Sequence, residues 1–333
     1  MISIICPIYN EEKYITKCIE SILTQDYPKE DMEVLFVDGM STDRTREIIL
    51  EYQRQYPFIH LLDNEKRIVP PAMNIGIRAA KGDIIIRLDA HAIYPTNYFS
   101  ELVVNLEKLS ADNVGGVCRT LPVKNTLVCR AIAVALSSSF GMGNSYFRVG
   151  AKEIKKVDTV PFGCFYKSLF DKIGFFDEEL IRNQDDEFNG RIIKNGGSIY
   201  LLPHLVIDYY ARDTIQKVSK MFYQYGLFKP LVNKKLGSPA TIRQFFPVLF
   251  VAGLIIGAIL SCFSAMLLSI YLSVLSLYFL LALFFSVKDG HSMQMVPILI
   301  WIYFIIHISY GWGYWIGLYK LCFKKTFVAK VNR

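Results

Sequence analysis

Two side chains that could bind a metal ion stand two residues apart in the sequence, Asp89 and His91. They follow an apolar run at residues 84–86, which is typical of a strand buried on both faces. Side chains at positions i and i+2 of an extended chain point the same way, so this carboxylate and imidazole could share a metal ion that a diphosphate also binds. Ligands of open α/β sheets bind at the carboxyl ends of strands. For the tripeptide alone, an Asp turn that closes a core strand is the simpler interpretation.

The elements that would position this pair alternate between strand and helix patterns. Strand patterns cover residues 2–8, 32–37, 59–62, 84–86, 115–118 and 160–166, and helix patterns cover 10–25, the stretch after a cap at 41–43, 72–80, 98–109, 169–173 and 184–194. Such alternation predicts a parallel sheet with helices on both faces. Residues 137–160 are rich in Ser and Gly and are predicted to form a mobile loop region.

Charge is distributed unevenly along the chain of 333 residues, which has a formal net charge of +7. Residues 1–211 hold 24 Lys/Arg and 28 Asp/Glu, whereas residues 212–333 hold 13 and 2. The basic part flanks long apolar runs, which favours an anionic membrane surface over nucleic acid as its partner. Seven scattered cysteines without a C-x-x-C motif argue against a zinc site and suit a reducing compartment. The first residues lack the basic start of a signal peptide.

Membrane segments are predicted after residue 243. Residues 245–287 form 43 positions without a charge, enough for two spans of about 20 residues with a turn near 261–265. Residues 296–319 form a third apolar segment with belt-like aromatic residues, among them Trp312 and Trp315. We therefore predict a domain at 1–211, an amphipathic interface segment at 212–243, a membrane region at 244–319 and a basic tail at 320–333.

The topology of these segments meets a conflict. Three spans would place the Lys-rich tail and the basic segment 212–243 on opposite sides of the membrane, whereas the positive-inside rule places both on the cytoplasmic side. Either one apolar run is re-entrant or the rule fails in this chain.

Four motifs occur in order along the chain: CPIYNEE, VDGMSTDRT, RLDAH and NQDDEFNGR. Together they resemble the inverting nucleotide-sugar glycosyltransferases of family two, which have the GT-A fold. The wording IRLDAHAIYP, VDTVPFG and NQDDEFN is most similar to membrane-anchored succinoglycan-type glucosyltransferases of bacterial exopolysaccharide assembly. The resemblance covers about residues 1–230 and implies a Rossmann-like nucleotide-sugar-binding domain followed by transmembrane helices.

The resemblance also implies roles for single residues. The nucleotide-sugar pocket would consist of Pro7, Tyr9, Glu11, Asp38, Arg67 and Asp89. Within it, Asp38 would accept a hydrogen bond from the uracil ring, and Asp89 would bind Mg²⁺ or Mn²⁺ across the diphosphate. The family pattern is Asp-x-Asp, and here His91 takes the second position, where an imidazole suits Mn²⁺ better than Mg²⁺.

The same resemblance identifies Asp185 as the catalytic base that deprotonates the acceptor hydroxyl. Gln184 replaces the Glu of the family's Glu-Asp pair, and Gln184, Asp186 and Gln224 are predicted to contact the acceptor. An acidic run that merely caps a helix is the plain alternative. Gln224 begins a stretch similar to the Gln-x-x-Arg-Trp motif of processive synthases, but the following residues depart from it, so processivity is not expected.

These features predict an inverting, metal-dependent transfer from a UDP-sugar to a lipid-linked saccharide by a multi-pass protein of the inner membrane with a cytoplasmic catalytic domain. A polyprenyl-phosphate sugar synthase is the alternative within the family. A membrane nucleotidyltransferase would carry a Gly-rich basic loop after the first strand, which CPIYNEE is not. A non-catalytic scaffold would have little reason to hold Asp38, Asp89 and Asp185 together.

Overall fold

The computed structural model describes residues 1–239, 241–323 and 327, so most of the predicted basic tail lies outside the described residues. The chain divides into two compact units. The first comprises Met1–Arg119 and Gly150–Tyr209, and the second comprises Thr120–Val149 and the residues from Tyr210 onward. The chain passes for the last time from the first unit to the second at residues 209–210, close to the predicted domain boundary at residue 211. Residues 120–149, which were predicted to belong to the first domain, belong to the second unit.

The helices and strands follow one another in this order: β1 (Ile2–Ile8), α1 (Ile15–Leu23), β2 (Met32–Asp38), α2 (Thr45–Gln55), β3 (Ile59–Asp63), α3 (Val69–Ala79), β4 (Ile84–Arg87), β5 (Ala92–Ile93), α4 (Tyr98–Lys108), β6 (Asn113–Leu121), α5 (Leu127–Ala135), α6 (Ser139–Met142), α7 (Tyr146–Val149), β7 (Lys155–Lys156), β8 (Cys164–Tyr166), α8 (Ser168–Ile173), α9 (Gln184–Lys194), β9 (Ile199–Tyr210), α10 (Ile215–Leu236), α11 (Phe245–Ser261), α12 (Ala265–Asp289) and α13 (Val296–Phe323).

Four parallel strands in the order β3-β2-β1-β4 form one half of the sheet in the first unit. Every residue of β2 is buried, as expected for a parallel strand covered on both faces. The register pairs Ile8 with Asp38 and Asp38 with Asp63, so β1, β2 and β3 end level with one another. The polar residues that follow these strands therefore share one edge of the sheet.

The other half of the sheet is antiparallel. Strand β8 pairs with β4 in the opposite direction, and β6, β9 and β5 continue the order. The sheet is therefore mixed, where the alternation of patterns predicted parallel strands. The predicted class, a Rossmann-like α/β domain followed by apolar helices, is confirmed.

An aromatic cluster fixes α9 beside the antiparallel half. The ring of Phe188 on α9 lies 4.5 Å from Phe176, 5.1 Å from Phe170 and 5.5 Å from Phe165 of β8, measured between centroids. Aromatic contacts of this kind add about 0.5–1.5 kcal/mol each to the free energy of burial. The cluster holds the first turn of α9, and with it the acidic run, in a defined position.

The second unit is helical. Its buried core joins side chains of α5, α10 and α13, among them Ile132, Phe222 and Tyr303. The helix α5 was not predicted, and the predicted loop at 137–160 contains two helical turns, α6 and α7, and the short strand β7. These turns are too short for a periodic pattern to reveal them.

Three helices at the end of the described chain are long and apolar enough to cross a membrane, by length and composition. Helices α11 and α12 form a hairpin whose turn lies at residues 262–264, where the sequence predicted it. Helix α13 corresponds to the third predicted segment.

Candidate active site

The loops that follow β1 and β2 are joined by hydrogen bonds. The amide of Asn10 donates to Ser41 Oγ at 2.8 Å, and the amide of Thr42 donates to Asn10 Oδ1 at 2.8 Å. One residue later, the amide of Glu11 donates to Thr45 Oγ1 at 2.7 Å. Asn10 has a φ of 56°, a left-handed conformation that Asn tolerates better than most residues. These bonds hold the predicted pocket residues after β1 against the end of β2.

Asp38 closes β2 and is fully buried. Its carboxylate accepts hydrogen bonds from the amide of Ser41 at 3.0 Å and from the hydroxyl of Ser41 at 2.5 Å. Arg46 on α2 donates to the same carboxylate at 2.6 Å and to Asp63 at 2.7 Å. The hydrogen bonds to Asp38 and Asp63 raise the pKa of Arg46, which stays charged. Arg46 is a site residue that the sequence analysis did not identify.

Tyr9 and Arg67 meet at Gly39, which follows Asp38. A Cβ on Gly39 would lie 3.2 Å from the Tyr9 ring and 3.3 Å from the Arg67 Cα, so the glycine lets the two segments approach each other. Arg67 has a φ of 57° and an exposed side chain. Pro7 lies near the end of β1 in the same part of the site, beside Val37. The predicted nucleotide residues thus converge on the ends of β1 and β2.

Asp89 and His91 lie just beyond β4 and connect to the loop after β1. His91 Nε2 lies 3.0 Å from Glu11 Oε1, and the His91 ring makes an edge contact with Tyr14 at 4.5 Å. The amide of His91 donates to Asp89 Oδ1 at 2.9 Å, and the amide of Asp89 donates to the hydroxyl of Tyr94 at 2.8 Å. Both side chains are partly exposed, so a ligand can reach them.

The donor set around Asp89 fits a divalent cation only with help from a ligand. Among the described residues there is no group of three or more His, Cys, Asp or Glu side chains arranged to hold a metal. Glu11 Oε2, however, is buried without a hydrogen-bond partner in the part of the chain that the structure describes. Mg²⁺ and similar ions are commonly held by one or two carboxylates together with substrate phosphates. Asp89 and the unpartnered oxygen of Glu11 are carboxylate ligands of this kind, and the phosphates of a ligand would have to complete the coordination.

Asp185 forms an ion pair with Arg87 across the gap between α9 and β4. Arg87 is buried, and this burial lowers its pKa, while the negative charge of Asp89 acts in the opposite direction. A buried guanidinium needs a carboxylate partner, and Asp185 supplies it. The Asp185 side chain remains 38% exposed, so one carboxylate can serve both the ion pair and a ligand. Arg87 therefore links the predicted base to the end of β4, which Asp89 follows two residues later.

The other acidic residues of α9 have different surroundings. Glu187 is buried and pairs with Arg191 at 2.7 Å, and Arg191 also donates to the carbonyl groups of Ile173 and Phe175. By holding Arg191, Glu187 therefore stabilises the contact between α9 and residues 173–175, where the segment that leads into α9 begins. Asp186 is partly buried, and Gln184 is buried at the first position of the helix.

The structure brings together Pro7, Tyr9, Glu11, Asp38, Arg67, Asp89, His91 and Asp185 at one edge of the first unit, and adds Arg46 and Arg87. Gln224 lies on α10 in the second unit, where its side chain is buried, and its acceptor role stays a prediction. Arg87 stands inside the RLDAH motif, and its charge at the end of an apolar strand is a signal that could have pointed to a carboxylate partner.

Residues 3–173 match the model of the family described as Glycosyl transferase family 2. The dolichyl N-acetyl-alpha-D-glucosaminyl phosphate 3-beta-D-2,3-diacetamido-2,3-dideoxy-beta-D-glucuronosyltransferase of Methanococcus voltae is 36% identical over 242 residues, which are 70% of this chain and 74% of that protein. The succinoglycan biosynthesis protein ExoA of Rhizobium meliloti is 31% identical over 260 residues, 78% of this chain and 77% of that protein.

Solved structures share the fold at lower identity. The crystal structure of S. aureus TarS 1–349 aligns with a TM-score of 0.51 and 18% identity over 98% of this chain and 93% of that chain. A structure of GalNAc-T7 with UDP, GalNAc and Mn²⁺ aligns with a TM-score of 0.51 and 17% identity over 64% of this chain and 43% of that chain.

Proposed function

Because the chain belongs to glycosyl transferase family 2, we propose that it transfers a sugar from a UDP-sugar to a lipid-linked saccharide, with inversion at the anomeric carbon. The observation that carries this proposal is the ion pair between Arg87 and Asp185. It sets the Asp185 carboxylate, the proposed general base, at the end of β4, two residues before Asp89, so base and diphosphate-binding groups would face the same substrate.

The donor nucleotide would occupy the ends of β1 and β2. The Asp38 carboxylate accepts three hydrogen bonds from Ser41 and Arg46 and has no exposed surface, so the proposed bond from a uracil N–H requires these partners to move aside. Tyr9 offers an aromatic face next to Gly39, and the exposed Arg67 offers a positive charge to the diphosphate. A crystal structure of TarS 1–349 in complex with UDP, with a TM-score of 0.50 to this chain, agrees with a uridine donor.

A divalent ion, Mg²⁺ or Mn²⁺, would be held by Asp89 with His91 and Glu11 nearby. When bound, it would neutralise the charge that develops on the leaving UDP. GalNAc-T7 was solved with Mn²⁺ together with UDP, which is consistent with this assignment. His91 also contacts Glu11, so the imidazole orients that carboxylate at the same site.

Asp185 would accept the proton of the acceptor hydroxyl while the hydroxyl attacks the sugar from the face opposite UDP. Arg87 donates to the Asp185 carboxylate and fixes its orientation. One carboxylate base with a bound leaving group is what a single-displacement, inverting transfer requires. Asp186, one position along the helix, is turned about 100° from Asp185 and faces elsewhere.

The acceptor is proposed from the relatives and from the apolar helices. The name of the Methanococcus voltae relative describes transfer to a dolichyl-phosphate-linked sugar, and ExoA is named for succinoglycan biosynthesis. Both favour a lipid-linked saccharide over a bare lipid phosphate, the acceptor of a polyprenyl-phosphate sugar synthase. We place the reaction in the assembly of a cell-surface polysaccharide at the cytoplasmic face of the membrane.

A donor panel tests this proposal. Membranes containing the protein are supplied with UDP-sugars and other nucleotide sugars, with and without lipid-linked saccharides, and released nucleotide is measured. We expect UDP release that depends on the acceptor, and a labelled lipid product from which mild acid releases a saccharide of two or more sugars. A product with one sugar on a lipid phosphate would identify the synthase instead, and release of pyrophosphate would contradict sugar transfer.

A further inference from the structure

Helix α13 exposes one narrow aromatic stripe along its whole length. All three tryptophans of the sequence lie on it, with exposed fractions of 52% for Trp301, 48% for Trp312 and 41% for Trp315. Tyr319 and Phe323 continue the stripe and are also exposed. Trp301 and Trp312 are eleven residues apart and the later positions follow at three or four residues, spacings that keep these side chains on one face of the helix.

Trp312 stands near the middle of α13, far from the headgroups if the whole helix spanned a bilayer. Spanning helices collect Trp and Tyr at their two ends, at the level of the headgroups. Trp312 stands eleven residues from Trp301 and eleven from Phe323, about 16 Å from each, which is the middle of the stripe. A helix that lies in the interface places its whole apolar face at one depth, where tryptophan is favourable.

Helix α10 packs beside α13 in the same direction. The hydroxyl groups of Ser219 and Ser309 are 2.8 Å apart, and Gly313 and Gly317 lie against the carbonyl groups of Tyr223 and Leu227, too close for a Cβ. Each contact joins residues ninety positions apart, so the two helices run parallel in register.

This register places charged side chains beside the middle of α13. By the same offset of ninety, Lys217 and Lys220 of α10 lie level with His307 and Tyr310, and both lysine side chains are exposed. A spanning α13 would carry these ammonium groups towards the bilayer centre, where a charged side chain is unfavourable. At the headgroup level the same lysines would meet anionic lipid phosphates, which attract them.

The α11–α12 hairpin contacts α13 through the half of each hairpin helix that lies away from the turn at residues 262–264. Trp315 donates to the carbonyl of Val248 at 3.1 Å, and His307 Nδ1 lies 2.9 Å from the hydroxyl of Tyr278. Further along the hairpin, Ile256 and Leu272 are exposed. The most apolar stretch of α13 is 44% buried, against 17% and 11% for α11 and α12. The half of the hairpin next to its ends packs against residues 299–315 of α13, and the half that contains the turn extends beyond α13.

We propose that α13 lies with α10 in the plane of one leaflet, with its aromatic stripe against the boundary between headgroups and acyl chains, and that only the α11–α12 hairpin inserts deeply. The partner of the stripe is therefore an anionic lipid surface. Because a hairpin returns to its starting side, the basic residues of α10 and Lys320 near the end of α13 lie on the same side, as the positive-inside rule expects. The proposal does not depend on the reaction that the protein catalyses.

Tryptophan fluorescence tests the proposal, since all native tryptophans lie on the stripe. Full-length variants that retain only Trp301 or only Trp312, with the other two changed to Phe, are reconstituted into phosphatidylcholine vesicles containing phosphatidylglycerol. Brominated lipids with the bromine near the glycerol or near the chain ends then report the depth of each indole. A variant with Ile256→Trp and all three native tryptophans changed to Phe serves as the deep control.

We expect Trp301 and Trp312 to lie at the same shallow depth and to be quenched more strongly by the shallow bromine, while the Ile256→Trp variant is quenched more strongly by the deep one. A difference in depth of about 16 Å between Trp301 and Trp312, the rise over eleven helical residues, would overturn the proposal in favour of a spanning α13. Absence of quenching at both positions would also overturn it, because the stripe would then face water. If the deep control is quenched while both native positions are not, the hairpin inserts and the stripe alone is assigned wrongly.

Discussion

The two units treat polar and apolar side chains in opposite ways. In the first unit, apolar side chains such as Ile4 and Phe36 are fully buried, and partly exposed titratable groups gather at one edge of the sheet. In the second unit, Ile256 and Leu280 are exposed, while His307 is buried. Exposed apolar helices of this length are typical of a lipid environment, and buried apolar side chains are typical of a domain in water.

The polar groups of the two units also differ in what they hold. His307 lies between the hydroxyl of Tyr278 and the carbonyl of Phe140, at 2.9 and 3.0 Å, so both ring nitrogens have partners inside the helical unit. Asp89 and Asp185 are tied to neighbouring groups but keep part of their surface exposed. Polar groups in a low-dielectric environment need hydrogen-bond partners within the protein, whereas side chains that bind a substrate need exposed surface.

The largest expected effect is the loss of transfer in Asp89→Ala. Asp89 is the proposed protein ligand of the metal ion. Without this carboxylate the metal would not be held at the diphosphate, so the charge of the leaving UDP would not be neutralised. His91→Ala should be milder or shift the preference from Mn²⁺ to Mg²⁺. Transfer is measured by UDP release, with membrane association as the control for folding. Full activity of Asp89→Ala, or transfer in excess EDTA, would contradict the metal assignment.

The second effect concerns the two neighbouring carboxylates of α9. Asp185→Asn should lower kcat by about 10²–10⁴-fold, the usual contribution of a general base, with donor affinity nearly kept. Asp186→Asn is the matched control and should cost far less. Glu187→Gln should lower the unfolding temperature and leave kcat nearly unchanged, because Glu187 pairs with Arg191 away from the substrate. Kinetics and calorimetry of donor binding separate these outcomes. An inactive Asp186→Asn beside an active Asp185→Asn would place the base at Asp186.

The third prediction tests whether the first unit is independent of the second. A protein that ends at Arg212 keeps α5 but loses its partners on α10 and α13, so Ile132 and Leu136 would be exposed together. We expect this truncated protein to sediment without detergent, although it lacks the membrane helices. Shortening only the tip of the hairpin should leave the packing of α5 intact. A soluble, monomeric 1–212 fragment that binds UDP would show that residues 120–149 do not need the helical unit.

Much of this fold follows from local patterns in the sequence. Helix α9 begins and ends where its acidic start and apolar spacing predicted, and the uncharged run at 245–287 divides at the predicted turn. Strand direction did not follow, because an apolar run such as β8 reads alike whether its neighbour is parallel or antiparallel. The association of residues 120–149 with the C-terminal helices depends on contacts between distant segments, which no local pattern contains.

The candidate site shows the same limit. Motif order placed Asp38, Asp89 and Asp185 at the ends of elements, and the structure has them there. Their partners Arg46 and Arg87 remained unidentified, since an arginine in a motif does not indicate which carboxylate it will meet. Ion pairs across 98 residues, as between Arg87 and Asp185, are set by the packing of α9 against the sheet.

The smallest expected effect concerns Asp43, which links the two loops that hold the nucleotide residues. Its carboxylate accepts from the amide and hydroxyl of Thr45 at 3.0 and 2.5 Å and from the amide of Glu12 at 3.2 Å. Burial acts to raise the pKa of Asp43, but these hydrogen bonds outweigh it and lower the pKa below its ordinary value. A lowered pKa in the folded state means that ionised Asp43 stabilises the fold above about pH 4 and that this contribution is lost as the pH falls through the folded-state pKa. Asp43→Ala should therefore cost about 1 kcal/mol at neutral pH, the usual value of a capping side chain, and less in acid. Asp43→Asn keeps one accepting oxygen but places an NH2 group where Oδ2 accepts from the amide of Glu12, so it should lie between the wild type and Asp43→Ala at pH 7 and closer to the wild type in acid. Thermal unfolding of the three proteins in detergent at pH 7 and below pH 4 measures the difference, and an Asp43→Ala deficit that persists unchanged in acid would contradict the assigned role of the ionised carboxylate.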